Sequence, residues 1–338
     1  MISDYGQTQD DRVSSALAPI AMPAPNILLV IVSYNSAAML ARCLKHVEQQ
    51  TLPPTTIVIV DNASTEPATL TLLEQLEVGA VVRLSKNIGY GGAINEAVRL
   101  TPEADFIACL NPDAFPAANW LECLVAKSRN AHTTGSWASL MLLDRDPNVI
   151  DGAGDALSIL GYAWRLGHNR TTDKVMLKER PVFSACAGAC LYRASAFRQV
   201  GGFDETFFMY GEDCDLGFRL QAAGFACLFV PSARVRHIGS GTTGYRSDFS
   251  VFYGHRNAWL LLVKNLPPIM WLLIGPLHCM ACLAISVRLW RRGQLMVFLR
   301  AKWAGLIKTR RLENAEHCEA PKISIFTLAK ILSWRLWP

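Results

Sequence analysis

The stretch "NILLVIVSYN", residues 26 to 35, restricts the fold more than any other part of the chain. Its apolar residues run without a break and are mostly β-branched, so they offer no polar face to water and form a strand buried on both sides, as in a parallel sheet. The run stops at Ser33, Tyr34 and Asn35, which marks the strand end that opens to solvent. The pattern then recurs. "AAMLARCLKHVEQQ" spaces its apolar residues by three and four, a helix, and "TTIVIVDNAS" is a second run ending in polar residues. Residues 67 to 78 read as a helix before "GAVVRLSKN", and "GGAINEAVRL" is helical ahead of "DFIACLNPD". Strands separated by helices describe an open α/β sheet, whose ligands bind beyond the strand C-termini. The polar residues gathered at that edge are Ser33, Tyr34, Asn35, Asp61, Asn62, Lys86, Asn87, Asn111 and Asp113.

From 117 to 185 short apolar runs mix with turn residues, and the segment reads as continuation of the sheet plus loops. The pattern sharpens at "FSACAGACLYR", a small-residue strand. A short helix, a Gly-Gly-Phe-Asp turn, an acidic helix start at "GEDCDLGFRLQAAG" and an edge strand ending at His237 follow it. Residues 269 to 287 contain no Lys, Arg, Asp or Glu and approach the length that crosses a bilayer core, although Gly275, Pro276 and His278 interrupt them. Residues 288 to 338 hold eleven Lys or Arg and three Glu, a local +8 in a chain of net charge +5. Basic and aromatic residues interleave there, which suits an anionic membrane face; the competing reading is a packed helical region with a solvated basic side. Only 18% of the chain is charged, which also points to apolar surface facing something other than water.

The first 25 residues lack the basic start and apolar run of a secretion signal and are set aside as a disordered tail. The ten cysteines are scattered, several within apolar runs, and read as buried thiols. The close pairs Cys186 and Cys190, and Cys279 and Cys282, have no second pair at zinc-site spacing. A reducing cytosol is the simpler setting.

The strand after which a dinucleotide would bind continues into "SYNSAAML", without the glycines of a pyrophosphate turn, and no Walker lysine motif exists, so hydride transfer is disfavoured. What remains is a row of acids and amides. Asp61 stands where a carboxylate can accept the imide N–H of a pyrimidine, and Asn111 and Asp113 stand where a divalent cation could bridge a diphosphate. Each alone is more often a cap or turn residue. In "YGEDCDLGFRL" three crowded acids repel one another unless a cation or a task offsets it. Glu212 and Asp213 fall near a helix N-terminus, where the dipole favours anions, and Asp215 best fits a structural role. Asp213 is the candidate general base. His237 would complete a mixed oxygen and nitrogen site for Mn²⁺ with Asp113, and the "GSGTTG" loop after it could close over a ligand.

In order, "VIVSYNS", "VDNAST", "NIGYGGAINEAV", "LNPDA", "AGACLYRASAFRQVGGFDETFFMYGEDCDLGFRLQAAG" and "RHIGSG" closely resemble family 2 glycosyltransferases of the GT-A fold. The similarity covers about residues 26 to 265 and lies with the bacterial rhamnosyltransferase-like branch that builds cell-surface polysaccharides. The resemblance implies an α/β GT-A domain, an open mixed sheet flanked by helices, over 26–245, and a C-terminal helical, membrane-associating region over 246–338. It implies a nucleotide-diphosphate sugar held by Ser33, Asn35, Asp61, Asn87, Gly89 and Asn111, with Asp61 on the nucleobase. It further implies Mn²⁺ or Mg²⁺ on Asp113 and His237, Asp213 as catalytic base, and Glu212 and Arg256 supporting the helix start or the acceptor. Asn111 departs from the family pattern, where an acid opens the Asp-x-Asp motif. The implied reaction is an inverting displacement onto a glycan or polyprenyl-diphosphate-linked acceptor at the cytoplasmic face of the inner membrane, with no nucleic-acid partner. Two other readings stay open: another nucleotide-sugar transferase of the same fold, hexosyl or galactofuranosyl, and an inactive glycan- or nucleotide-binding scaffold, for which Asn111 is the best support.

Overall fold

The computed structural model describes residues 24–77, 79–129, 131–174, 177–239, 246–313 and 325–335. The expected tail up to residue 23 and the loop from residue 240 lie outside them. The chain runs β1 (Ile27–Ser33), α1 (Ala37–Glu48), β2 (Thr56–Asp61), α2 (Pro67–Gln75), β3 (Ala80–Arg83), α3 (Tyr90–Arg99), β4 (Phe106–Leu110), β5 (Ala114–Pro116) and α4 (Trp120–Ser128). It continues through β6 (Thr134–Leu143), β7 (Asp146–Gly152), β8 (Asp155–Leu157), β9 (Ala163–Arg165), β10 (Arg180–Val182), β11 (Ala189–Arg193), α5 (Ala194–Gln199), α6 (Glu212–Ala222) and β12 (Ala226–His237). Helices α7 (Asp248–Asn265), α8 (Trp271–Trp290), α9 (Leu295–Glu313) and α10 (Ile325–Ile331) close the chain.

The main sheet is mixed, in the order β10-β12-β6-β11-β4-β1-β2-β3, with β5 paired to β12 and β7 to β6. Strands β4, β1, β2 and β3 are parallel, as their unbroken apolar runs require. β1 shows why: Leu28, Val30 and Val32 enter one core with α3 and α6, and Ile27, Leu29 and Ile31 enter the opposite core with α1 and α4. Each such side chain contributes roughly 1.5–3 kcal/mol on burial, so the strand cannot move outward.

Two expectations are corrected here. β12 is not an edge strand, because β10 and then β5 cover the side away from β6. Its alternating Arg234 and Arg236 mark a sheet face that is uncovered at that end, not a missing neighbour. The segment after residue 117 also contains a helix, α4, whose Trp120, Leu121, Leu124 and Val125 are buried under β6 and β12.

The C-terminal helices pack on the α/β body through α7, where Leu260, Leu261 and Leu262 meet Leu157, Leu160, Phe207 and Phe218. α8 buries Ile274, Ile285 and Leu289 and leaves Leu272, Met280, Leu283 and Trp290 exposed on its other side. Among the described residues no helix is long and apolar enough to cross a membrane. The nine described cysteines are free.

Candidate active site

The ends of β1 and β2 lie side by side, with Ser33 in register with Asp61. Both are buried. Asp61 Oδ1 accepts the Ser64 N–H at 2.9 Å, and the Ser33 and Ser36 hydroxyls are 2.9 Å apart. Asn35, at φ 48°, accepts the N–H groups of Thr65 and Glu66 at 2.8 and 2.9 Å, so its side chain shapes the loop after β2. Asn87 accepts from Asn62 and from the Gly89 N–H, each at 3.0 Å, and Asn62 accepts from Ile88. Gly89 opens α3 at φ 84°, and a Cβ there would lie 2.3 Å from the Phe208 carbonyl, so no other residue fits. Asn62, expected at this edge but given no role there, thus ties its loops together.

Asn111 follows β4, and its N–H donates to Gly188 O at 2.9 Å, beside the start of β11. Two residues on, Asp113 meets His237 because β5 pairs antiparallel with β12, setting Ala114 opposite His237. His237 Nε2 stands 3.2 Å from Asp113 Oδ1, and Nδ1 stands 2.8 Å from Asp151 Oδ2 on β7. Asp151 also pairs with Arg165 and lies 3.5 Å from His168. All three of Asp113, Asp151 and His237 are buried. Burial alone would push the Asp113 carboxyl up, but the His237 ring 3.2 Å away outweighs it and holds the group below its ordinary range. Burial likewise opposes charge on His237, and the two flanking carboxylates overcome it.

This arrangement fits a divalent cation. With Nδ1–H donated to Asp151, the ring is fixed in the tautomer that leaves Nε2 as a ligand, and Nε2 is buried without a hydrogen-bond partner. Among the described residues no group of three or more His, Cys, Asp or Glu could hold a metal. Asp113 and His237 would therefore supply two ligands and the substrate's oxygens the rest, the usual way Mg²⁺ and Mn²⁺ meet phosphates.

The third part is the N-terminus of α6. Gly211, at φ 86°, precedes it, and Glu212 and Asp213 enter a cavity of about 630 Å³ also lined by Asn111, Asp155 and Arg165. Asp113 and His237 do not line it. Asp213 is half-buried; burial pushes its carboxyl up, while the N–H groups of Ala187 and Cys214 and the charge of Arg165 pull it partly back. Glu212 is pushed up to about 8, first by burial and then by Asp213. Asp155 is raised well above the carboxylate range by burial and by Asp213. Asp215 faces away and is held by Arg219, Lys264 and Asn265. Its expected structural role matches this placement.

The turn leading into α6 is held from outside the α/β body. Asn257 on α7 donates to the carbonyls of Phe207, Met209 and Tyr210 at 2.9, 2.8 and 2.6 Å. Phe208 and Tyr210 have φ of 63° and 68°. Arg256 donates to Thr206 O and Phe207 O at 3.0 and 2.6 Å and covers the Tyr253 ring. Of its two expected roles, support of the helix start matches these bonds; it does not line the cavity, and carbonyls of the turn occupy its guanidinium, which corrects the expected place at the acceptor. Asp151, Asp155 and Arg165 were missed in the sequence because β7 to β9 are short and carry no long apolar run.

A profile described as glycosyl transferase family 2 matches residues 28–201, and one described as glycosyl transferase family group 2 matches 156–336. The chain is 28% identical over 295 residues to the N-acetylglucosaminyl-diphospho-decaprenol L-rhamnosyltransferase of Mycobacterium tuberculosis, covering 79% of this chain and 96% of that one. It is 25% identical over 240 residues to the O-antigen chain rhamnosyltransferase RfbN of Salmonella typhimurium, covering 67% and 70%. Among solved structures it is similar in fold to GalNAc-T7, crystallised with UDP, GalNAc and Mn²⁺, at a TM-score of 0.60 and 19% identity. That likeness covers 91% of this chain and 56% of the other. The mannosyltransferase PcManGT of Pyrobaculum calidifontis, in complex with GDP-Man and Mn²⁺, is similar at a TM-score of 0.52 and 15% identity, covering 87% and 88%.

Proposed function

The chain belongs to glycosyl transferase family 2, and on that premise we propose that it transfers rhamnose from a nucleoside diphosphate to a hydroxyl of a polyprenyl-diphosphate-linked glycan, with inversion. Asp213 carries the reading. Its carboxyl is the half-buried acid of a cavity shared with Asn111, and its basicity is raised by burial. Rhamnose is supported by the names of both curated relatives, and the lipid-linked acceptor by that of the mycobacterial one.

Asp61 at the end of β2 binds the nucleobase, in a cradle built by Ser33, Asn35, Asn87 and Gly89. Asn111 sits between this edge and the cavity, where its amide can hydrogen-bond the sugar nucleotide without adding charge. Mn²⁺ or Mg²⁺ held by Asp113 and His237 would offset the charge that builds on the departing diphosphate. Asp151 fixes the His237 ring for that task. Asp213 removes the proton of the acceptor hydroxyl as it attacks the anomeric carbon from the face opposite the diphosphate. Glu212, neutral below about pH 8, adds no second negative charge beside Asp213. The exposed apolar residues of α8 and α9, Leu283, Trp290 and Trp303 among them, and the basic residues beside them support contact with the cytoplasmic membrane surface, lying in its plane.

Purified protein given dTDP-, UDP- and GDP-sugars with Mn²⁺ should hydrolyse or transfer from one of them. Asp213→Asn should lower turnover by roughly 10²–10⁴-fold, the range of a lost general base, with nucleotide affinity nearly unchanged. Full turnover in that variant would remove the assignment. A protein that binds nucleotide but turns over none of the donors would instead support the scaffold reading that Asn111 favours.

A further inference from the structure

We infer that Arg246, Arg288 and Arg292, at the rim of the Asp213 cavity, form a binding site for the diphosphate of a lipid-linked acceptor. The inference rests on the glycosyltransferase reading for what the other end of that ligand does. Both ends belong to one cavity: the acids Asp155, Glu212 and Asp213 line it together with these three arginines and with a fourth, Arg165, which is already paired with Asp151. Its volume, about 630 Å³, falls within the ~300–1,000 Å³ of ligand pockets.

The two sets come from different parts of the chain: Asp155, Glu212 and Asp213 from β8 and the start of α6, and Arg246, Arg288 and Arg292 from the segment before α7 and the end of α8. A diphosphate is repelled from the acids and attracted to the arginines, whereas a sugar hydroxyl can hydrogen-bond to the carboxylate of Asp213. One ligand carrying both groups is therefore held in a single direction, hydroxyl toward the base. Guanidinium forks match phosphate oxygens two at a time, which suits arginine better than lysine here.

Arg288 and Arg292 are exposed and have no carboxylate within ion-pair distance among the described residues. Arg288 lies in the last turn of α8 and Arg292 in the turn that follows it, on the side where Ile285 and Leu289 also line the cavity. A cation at a helix C-terminus complements the dipole and is worth about 0.3–1 kcal/mol. That effect would not require both side chains to turn into one cavity with Arg246, which reaches it from the segment before α7. On the outward side of the same turns Leu283, Val287 and Trp290 are exposed, an apolar surface on the helix that carries Arg288.

The test uses the full chain in EDTA, without nucleotide, so that the metal-dependent donor site is silent. Calorimetry compares farnesyl diphosphate, farnesyl monophosphate and inorganic pyrophosphate. Farnesyl diphosphate should bind at least tenfold more tightly than either of the others, and the Arg288→Gln/Arg292→Gln protein should lose at least tenfold of that affinity with an unchanged melting temperature. Equal affinity in the double variant overturns the proposal. Equal affinity for inorganic pyrophosphate overturns the lipid-linked assignment, and equal affinity for the monophosphate overturns the diphosphate. Should the double variant unfold, Arg288→Gln alone decides by the same loss. Failure of the glycosyltransferase reading is separate: it appears as wild-type protein that binds and cleaves no nucleotide sugar, whatever it does with farnesyl diphosphate.

Discussion

Glu212→Gln should change the way stability depends on pH. In the folded chain Glu212 is 6% exposed, its Oε2 has no hydrogen-bond partner, and burial with the charge of Asp213 moves its pKa from 4.5 to about 8. The unfolded chain ionises it near ~4.3. Between those values the folded chain holds a proton that the unfolded chain has released, so stability falls as pH rises through the window and levels above about pH 8. One pKa unit is worth about 1.36 kcal/mol, so the penalty grows by about 3–4 kcal/mol from roughly pH 5 to pH 8. Glutamine does not titrate. Its amide N–H₂ would meet the same partnerless surroundings at a cost of about 1–3 kcal/mol, independent of pH. The variant should therefore melt at or below wild type near pH 5 and several degrees above it near pH 8. Melting curves followed by tryptophan fluorescence across that range give the difference directly. Parallel curves for the two proteins would refute the buried, proton-holding carboxyl.

Lys264→Met removes the cation shared by the half-buried carboxylate of Asp204 and the fully buried one of Asp215, and should cost about 3–5 kcal/mol, read as a lower melting temperature. A nucleoside diphosphate with Mn²⁺ at 100 times its Kd should stabilise wild type by about 2.7 kcal/mol. In His237→Ala the shift with Mn²⁺ should fall to the size seen in EDTA; an unchanged shift would exclude His237 as a ligand.

The strand ends were legible because burial on both faces leaves an unbroken apolar run, and the run's last residue locates the edge. That reasoning reached Ser33, Asp61 and Asn111 without knowledge of the sheet. It also placed Glu212 and Asp213 at a helix start, since clustered acids there answer the dipole. Asp151, by contrast, matters only through its distance to His237, which is 86 positions away. No local pattern encodes such a pairing. For Arg256 the sequence left two roles open, the acceptor and the helix start, and only the fold chooses: the turn from Thr206 to Phe207 takes its guanidinium.

That turn has a further consequence, for anyone who would treat the helical segment as a removable part. Phe208 and Tyr210 sit at positive φ, which costs non-glycine residues on the order of 1–3 kcal/mol each, and Asn257 from α7 is the clasp that keeps them there. The edge of Ser33 and Asp61 could be transplanted with the strands that carry it. Asp213 could not, because its aim is inherited from both halves of the chain. A chimaera that exchanged the C-terminal helices to change the acceptor would have to carry residues 206 to 211 along with them.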